Sequence, residues 1–190
     1  MIKIDDIDVY GIKNALVGAR FPLATDIEKV KELPIEKLLD LGNRLGKTGI
    51  GEGHDKFLRQ ISLSFTLTAP RYFWQEFATY HFTTMNSQST MHRLSKFNIR
   101  DMVEPEVDSA ILDRVEQLQK EYIDNPTENN FLRLKANLPE GFLLSAFVTT
   151  NYAQIKTIYN QRKTHRLPHW KYFCEHFVKT LPYVKELGVV

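Results

Sequence analysis

The densest run of reactive side chains lies near the C-terminus, where Arg162, Lys163, His165, Arg166, His169 and Lys171 fall close together. Guanidinium forks pair bidentately with phosphate or with a nucleobase edge, so one reading of this cluster is a phosphate or nucleotide site. The other is a solvated helix end, where cations complement exposed carbonyls. A second candidate is the stretch from Thr83 to Thr90, dense in Ser, Thr and Asn. Such residues bond their own backbone and favour turns and caps. They also suit a phosphate cradled by hydroxyls and amides. Together the two features point to a nucleotide-sized anion without naming a reaction.

Other groupings carry less. His165 and His169 have the i, i+4 spacing of zinc-binding helices, but Pro168 falls between them and no HExxH frame supplies an acidic base. No metal is expected. Cys174 lies beside Phe173 and near Phe177, which reads as a buried, inert thiol. The segment Gly42-Asn43-Arg44-Leu45-Gly46-Lys47-Thr48 imitates a phosphate loop. It has one residue too few between its glycines and follows a helix rather than a strand, so a mobile loop is expected there.

The elements that must position these residues belong to a chain of 190 residues, 43% hydrophobic and 25% charged, with net charge +2. That length supports one domain, 1–190, with a sizeable core. A charge so close to neutral does not demand nucleic-acid binding. No apolar run reaches the roughly 18 residues needed to cross a bilayer. The early alternation of MIKIDDIDVY resembles neither a signal nor a transit peptide. A single cysteine excludes an internal disulfide framework and fits a reducing, cytoplasmic setting.

Residues 1–10 read as a strand. The spacing of Ile27, Val30, Leu33, Leu38, Leu41 and Leu45 predicts two helices separated at Pro34. The clean alternation of Ile61, Leu63, Phe65, Leu67 and Ala69 with Ser62, Ser64, Thr66 and Thr68 predicts a strand with one apolar and one hydroxyl face. Pro70 starts a helix placing Phe73, Phe77 and His81 on one side, and 82–93 reads as a loop. Helices follow at 106–122 and 128–136, a strand at 142–148, a helix capped by Asn151 and running to Arg162, and a last helix from Pro168. Helices mixed with a small sheet make the class α+β.

Several of these residues recur in a fixed order. His54 precedes a strand ending at Ala69-Pro70, and Thr84, Asn86 and Ser89 come after the next helix. Further on come Lys135, Leu138-Pro139, Thr149-Thr150-Asn151 and Arg162, with Ala19-Arg20 near the start. This order resembles the flavin-dependent thymidylate synthases (the ThyX type), whose signature is RHRxxSxNExSxR, followed by ARxxLP, TxN and a final Arg. Thr84, Asn86 and Ser89 fall on the signature's first Ser, its Asn and its second Ser. The chain departs from the pattern at Thr79-Tyr80-His81 for RHR, Ser87 for the Glu, Met91 for the last Arg, Glu76 for a Gln, and Lys135 for the Arg before Leu-Pro. Arg93, two residues past the lost Arg, is the nearest replacement for its charge.

The resemblance implies a ThyX-like fold with a small antiparallel sheet and flanking helices. It implies FAD as cofactor, held at subunit contacts of a homotetramer, so no dinucleotide fingerprint is required within one chain. The implied reaction moves a one-carbon unit from methylenetetrahydrofolate to C5 of dUMP, giving dTMP, with NADPH as reductant and no cysteine nucleophile. Arg162 would polarise the uracil ring, stabilising charge on N3 and O4. Glu76, Ser87, Gln88, Ser89, Thr90, Arg93 and Lys135 would hold the nucleotide. His54, Lys56, Thr79, Tyr80, His81, Asn151 and Thr157 would line the FAD site. Two alternatives follow from the altered signature: a related flavoenzyme, for example one hydroxymethylating a pyrimidine nucleotide, and a noncatalytic nucleotide-binding relative without FAD.

Overall fold

The computed structural model describes residues Met1–Val190. In chain order the elements are β1 (Lys3–Tyr10), α1 (Ile12–Arg20), α2 (Ile27–Lys31), α3 (Ile35–Gly46), β2 (Ser62–Pro70), α4 (Arg71–Phe77), β3 (Thr84–Ser87), α5 (Thr90–Arg93), α6 (Ser109–Asp124), α7 (Glu128–Ala136), β4 (Leu143–Asn151), α8 (Tyr152–Arg162) and α9 (Pro168–Tyr172). The strands form one antiparallel sheet in the order β1-β2-β4-β3, flanked by helices, so the class is α+β. Register on β2–β4 is fixed at both ends: Tyr152 N–H donates to Ile61 O at 3.1 Å and Arg71 N–H to Phe142 O at 3.1 Å. In that register Thr68 and Ser145 face each other, and their hydroxyls bond at 2.7 Å.

The alternation on β2 is realised in full. Ile61, Leu63, Phe65, Leu67 and Ala69 are all completely buried, while the hydroxyl residues between them stay half-exposed. In β1 the apolar spacing slips between Ile4 and Ile7, and there Asp6 takes a left-handed φ of 52°. Aspartate tolerates that left-handed conformation better than most residues. Thr66 on β2 donates to the Asp6 carboxylate at 2.8 Å.

Two compact units partition the chain. The first comprises Met1–Lys3, Leu67–Thr79 and Met85–Phe147; the second comprises Ile4–Thr66, Tyr80–Thr84 and Val148–Val190. Unit 1 is organised around α6 and α7, whose Leu112, Val115, Leu118 and Leu134 pack with Leu94, Ile99, Leu138 and Phe142. Asp108 caps α6 and Thr127 caps α7 through side-chain oxygens that accept backbone N–H groups. Unit 2 is built on aromatic packing. The Phe65 ring lies 4.7 Å from Phe177, and Phe173 lies 4.9 Å from Phe177 and 5.8 Å from Trp170.

Three local expectations are corrected. The Gly42 to Thr48 segment is not a mobile loop through its first half, because α3 continues to Gly46. Both glycines are packing positions: a Cβ on Gly42 would overlap Leu16, and one on Gly46 would overlap the Leu187 carbonyl oxygen. His81 does not share a helical face with Phe73 and Phe77, since α4 ends at Phe77 and His81 is exposed. The polar stretch 82–93 contains β3 and α5 rather than loop alone. Its short strand is fully exposed, so it leaves no alternation for sequence reading to detect. The last helix begins at Pro168 as expected, and α9 passes into a π-helical turn at Phe173–Phe177 that buries Phe173, Cys174 and Phe177.

Candidate functional site

In unit 2 the C-terminal end of α8 carries Arg162, half-buried beside aromatic rings. Its guanidinium carbon sits 4.7 Å from the centre of the Trp170 ring and 5.6 Å from that of Tyr80. Its Nε–H donates to the Tyr80 hydroxyl at 2.7 Å, and Nη1 lies 2.9 Å from His165 Nε2. Tyr80 in turn donates to Gln161 Oε1 at 3.1 Å. A guanidinium only donates, so the Nη1–Nε2 contact is a hydrogen bond in the tautomer whose Nε2 is unprotonated. The Leu167 N–H faces the other ring nitrogen at 3.2 Å, and a neutral imidazole can accept at only one of the two. Tyr80 is itself buried, with its ring edge-on to Trp170 at 6.0 Å.

The 3-10 segment His54–Gln60 and its neighbours bound two cavities in this unit. The larger, about 560 Å³, has an apolar wall that includes Leu41, Leu45 and Phe57, with His54, Lys56 and Arg59 among its polar lining. The smaller, about 220 Å³, is lined by Asn151, Gln154, Thr157 and Phe82, again with Arg59. Asn151 caps α8, its Oδ1 accepting from Gln154 N–H at 3.0 Å, and Thr157 donates to Ala153 O at 3.1 Å. Within the 3-10 segment, buried Asp55 pairs with buried Lys156 of α8 at 2.8 Å, and Lys156 also donates to Thr48 O at 2.7 Å. Both partners being charged and desolvated, this pair holds the segment to α8 only while it is intact.

In unit 1 Lys135, near the end of α7, donates from Nζ to Thr90 Oγ1. Burial, and then the nearby Arg71 guanidinium, pushes the Lys135 ammonium below its ordinary pKa. Arg71 is anchored by donating to Leu138 O at 2.9 Å and pairs with Glu140 at 3.4 Å. Ser89 caps α5, accepting from His92 N–H at 3.3 Å. Gln88 is engaged within the sheet: its N–H donates to Ser145 O and its side-chain oxygen accepts from Ser145 N–H, both at 2.9 Å. Glu76 is half-buried on α4, and Thr79 donates to its carbonyl at 2.7 Å. Ser87 and Arg93 are exposed, and the Arg93 side chain makes no hydrogen bond or ion pair.

The structure therefore gathers Tyr80 with Arg162, His54 with Lys56, Asn151 with Thr157, and Thr90 with Lys135. Sequence reading missed Arg59, Trp170, Gln161 and Arg71. Two are cations at ordinary helical positions, one an amide on α8 and one an aromatic on α9, and none of these signals is specific. The C-terminal histidines form no metal-binding group, and no cluster of three or more His, Cys, Asp or Glu side chains suits a metal ion. Burial pushes the Cys174 thiol up to about 11, consistent with an inert packing residue. No helix is long and apolar enough to cross a membrane.

No protein-family model matches this sequence, and no curated protein does. Solved structures do. Thymidylate Synthase X (ThyX) from Helicobacter pylori with FAD and dUMP superposes with a TM-score of 0.77 at 13% identity, covering 99% of this chain and 97% of its own. A second structure of the Helicobacter pylori flavin-dependent enzyme, complexed with FAD and dUMP, gives 0.76 at 13% identity, with coverage of 98% and 97%. The UMP/dUMP methylase PolB from Streptomyces cacaoi, bound with 5-Br dUMP, gives 0.67 at 13% identity, covering 87% of this chain and 79% of its own. At this identity the likeness is one of architecture, and it runs from end to end: the fold of this chain is that of the flavin-dependent thymidylate synthases.

Proposed function

We propose that this protein is an FAD-dependent enzyme acting on a pyrimidine deoxynucleotide, most simply transferring a one-carbon unit from methylenetetrahydrofolate to C5 of dUMP. The observation that carries the reading is the end-to-end fold likeness to proteins solved with FAD and dUMP. The residues present fit such a cofactor. An apolar wall with His54, Lys56 and Arg59 on its lining suits a planar ring bearing phosphates. Asn151 and Thr157 supply further polar groups to the smaller cavity. When bound, the flavin would supply the reducing equivalents of the transfer.

The chain's own groups have separable tasks. Arg162, held on its aromatic wall, is assigned the pyrimidine ring, where a fixed cation stabilises charge developing on N3 and O4. Lys135, with Ser89 and Thr90, is assigned the phosphate, and Arg93 a supporting charge. NADPH as reductant and a homotetrameric assembly complete the reading.

The test is the visible absorption spectrum of purified protein before and after adding FAD and removing the excess. A retained flavin spectrum that shifts on adding dUMP supports the reading; a protein that retains no flavin overturns it. A second reading, a flavoenzyme modifying UMP as well as dUMP, is favoured by the likeness to the Streptomyces methylase. Product analysis with each nucleotide separates the two, and distinguishes methyl from hydroxymethyl products.

A further inference from the structure

The geometry points to Tyr80 and His165 as positioning residues that lock the Arg162 guanidinium in one orientation, so that it meets a pyrimidine ring rather than a phosphate. The inference rests on the reading of Arg162 as the group that addresses the base. A freely rotating guanidinium is a general phosphate binder, because its planar donors form two-pronged pairs with phosphate oxygens. In this protein the Nε–H is spent on the Tyr80 hydroxyl at 2.7 Å, which removes the side-on fork. His165 Nε2, 2.9 Å from Nη1, competes for a second donor. Trp170 lies 4.7 Å from the guanidinium carbon, and a cation over an aromatic ring is held in place as well as stabilised.

Three contacts from different directions leave the plane of the guanidinium little freedom. Tyr80 is also fixed at its far end, since its hydroxyl donates to Gln161 at 3.1 Å while accepting from Arg162. The tyrosine is thus polarised as an acceptor, which a phenylalanine of the same shape would not be. The consequence is an orientation set before any ligand arrives, with the side-on fork that phosphate favours already engaged.

The experiment compares the binding of dUMP and of deoxyribose 5-phosphate, which has the sugar and phosphate but no ring, by isothermal titration calorimetry. Wild type, Arg162→Ala, Tyr80→Phe, His165→Gln and His165→Leu are measured, each with its thermal midpoint. Wild type is expected to prefer dUMP, and Arg162→Ala to abolish that preference. Tyr80→Phe should weaken dUMP about tenfold and leave deoxyribose 5-phosphate unchanged. His165→Leu should weaken dUMP in the same selective way, and His165→Gln, which keeps an acceptor, should restore most of the loss. Should Tyr80→Phe fail to fold, the His165 pair reads the same ratio.

A wild-type ratio in both Tyr80→Phe and His165→Leu, with Arg162→Ala collapsed, overturns the positioning roles alone. Arg162→Ala retaining the preference overturns the inference while leaving nucleotide binding intact. Equal binding of the two ligands by wild type overturns both this inference and the reading it rests on.

Discussion

The two units differ in how their candidate groups are held. In unit 2 Arg162 is enclosed by Tyr80, His165 and Trp170, and the cavity-lining segment rests on a buried Asp55–Lys156 pair. In unit 1 Ser87 and Arg93 are exposed, and Arg93 has no partner. Lys135, Gln88 and Ser89 are held there by single side-chain bonds, to Thr90, Ser145 and His92. Unit 2 bears the cost of ordering its groups during folding, whereas under the proposed function the exposed groups of unit 1 would be ordered by the ligand they meet. A ring must meet a donor of fixed direction, while a phosphate is satisfied by charge from several directions.

The largest break in that comparison comes from Lys156→Met. It strands the Asp55 carboxylate without its partner, and stability should fall by roughly 3–5 kcal/mol in urea denaturation. A loss below about 1 kcal/mol would mean that Asp55 reaches water and that the pair organises nothing.

The alkaline limb of stability sharpens the picture of a closed unit 2. Burial raises the Cys174 pKa from 9.0 to about 11. The unfolded chain therefore releases this proton first as pH rises. The associated stability is complete below pH 9 and is lost as pH climbs from 9 to 11. Cys174→Ala should flatten the pH dependence in that window by on the order of 2 kcal/mol. An unchanged slope would assign the alkaline loss to other groups.

Arg93→Ala probes the opposite kind of site. If a nucleotide orders this side chain, dUMP affinity should fall by about 1.5–3 kcal/mol, the worth of a hydrogen bond to a charged group. The thermal midpoint without ligand should not move. A change in midpoint without a change in affinity would make Arg93 structural.

The smallest effect is expected at the sheet edge. Gln88→Ala removes one side-chain acceptor from Ser145 N–H and should cost about 1 kcal/mol. Amide exchange at Ser145 should rise while the α6–α7 core remains protected. Exchange spreading into that core would show that β3 is no independent edge.

Much of the fold was legible because it follows from local periodicity. The face of β2, the break at Pro34 and the cap at Asn151 are properties of neighbouring residues, and all three are realised. The ordered pattern from His54 to Arg162 pointed to the architecture even though RHR had become Thr79-Tyr80-His81. Less was legible in the site. Tyr80 could be placed by pattern, but its burial and its bond to Arg162 could not. Gln88 could be named by pattern, but its bond to Ser145 across 57 positions could not. β3 was invisible because an exposed four-residue strand has no apolar alternation to betray it.

Sequence alone thus determined the strongly periodic segments and the faces they bury, β2 and the helices around Pro34 among them, since a 3.6- or 2-residue period is written in the chain itself. Tertiary structure alone decided the partners: Tyr80 with Arg162 across 82 positions, and Asp55 with Lys156 across 101. Such pairings depend on which loops close and which charges lose water together, and no local pattern encodes either.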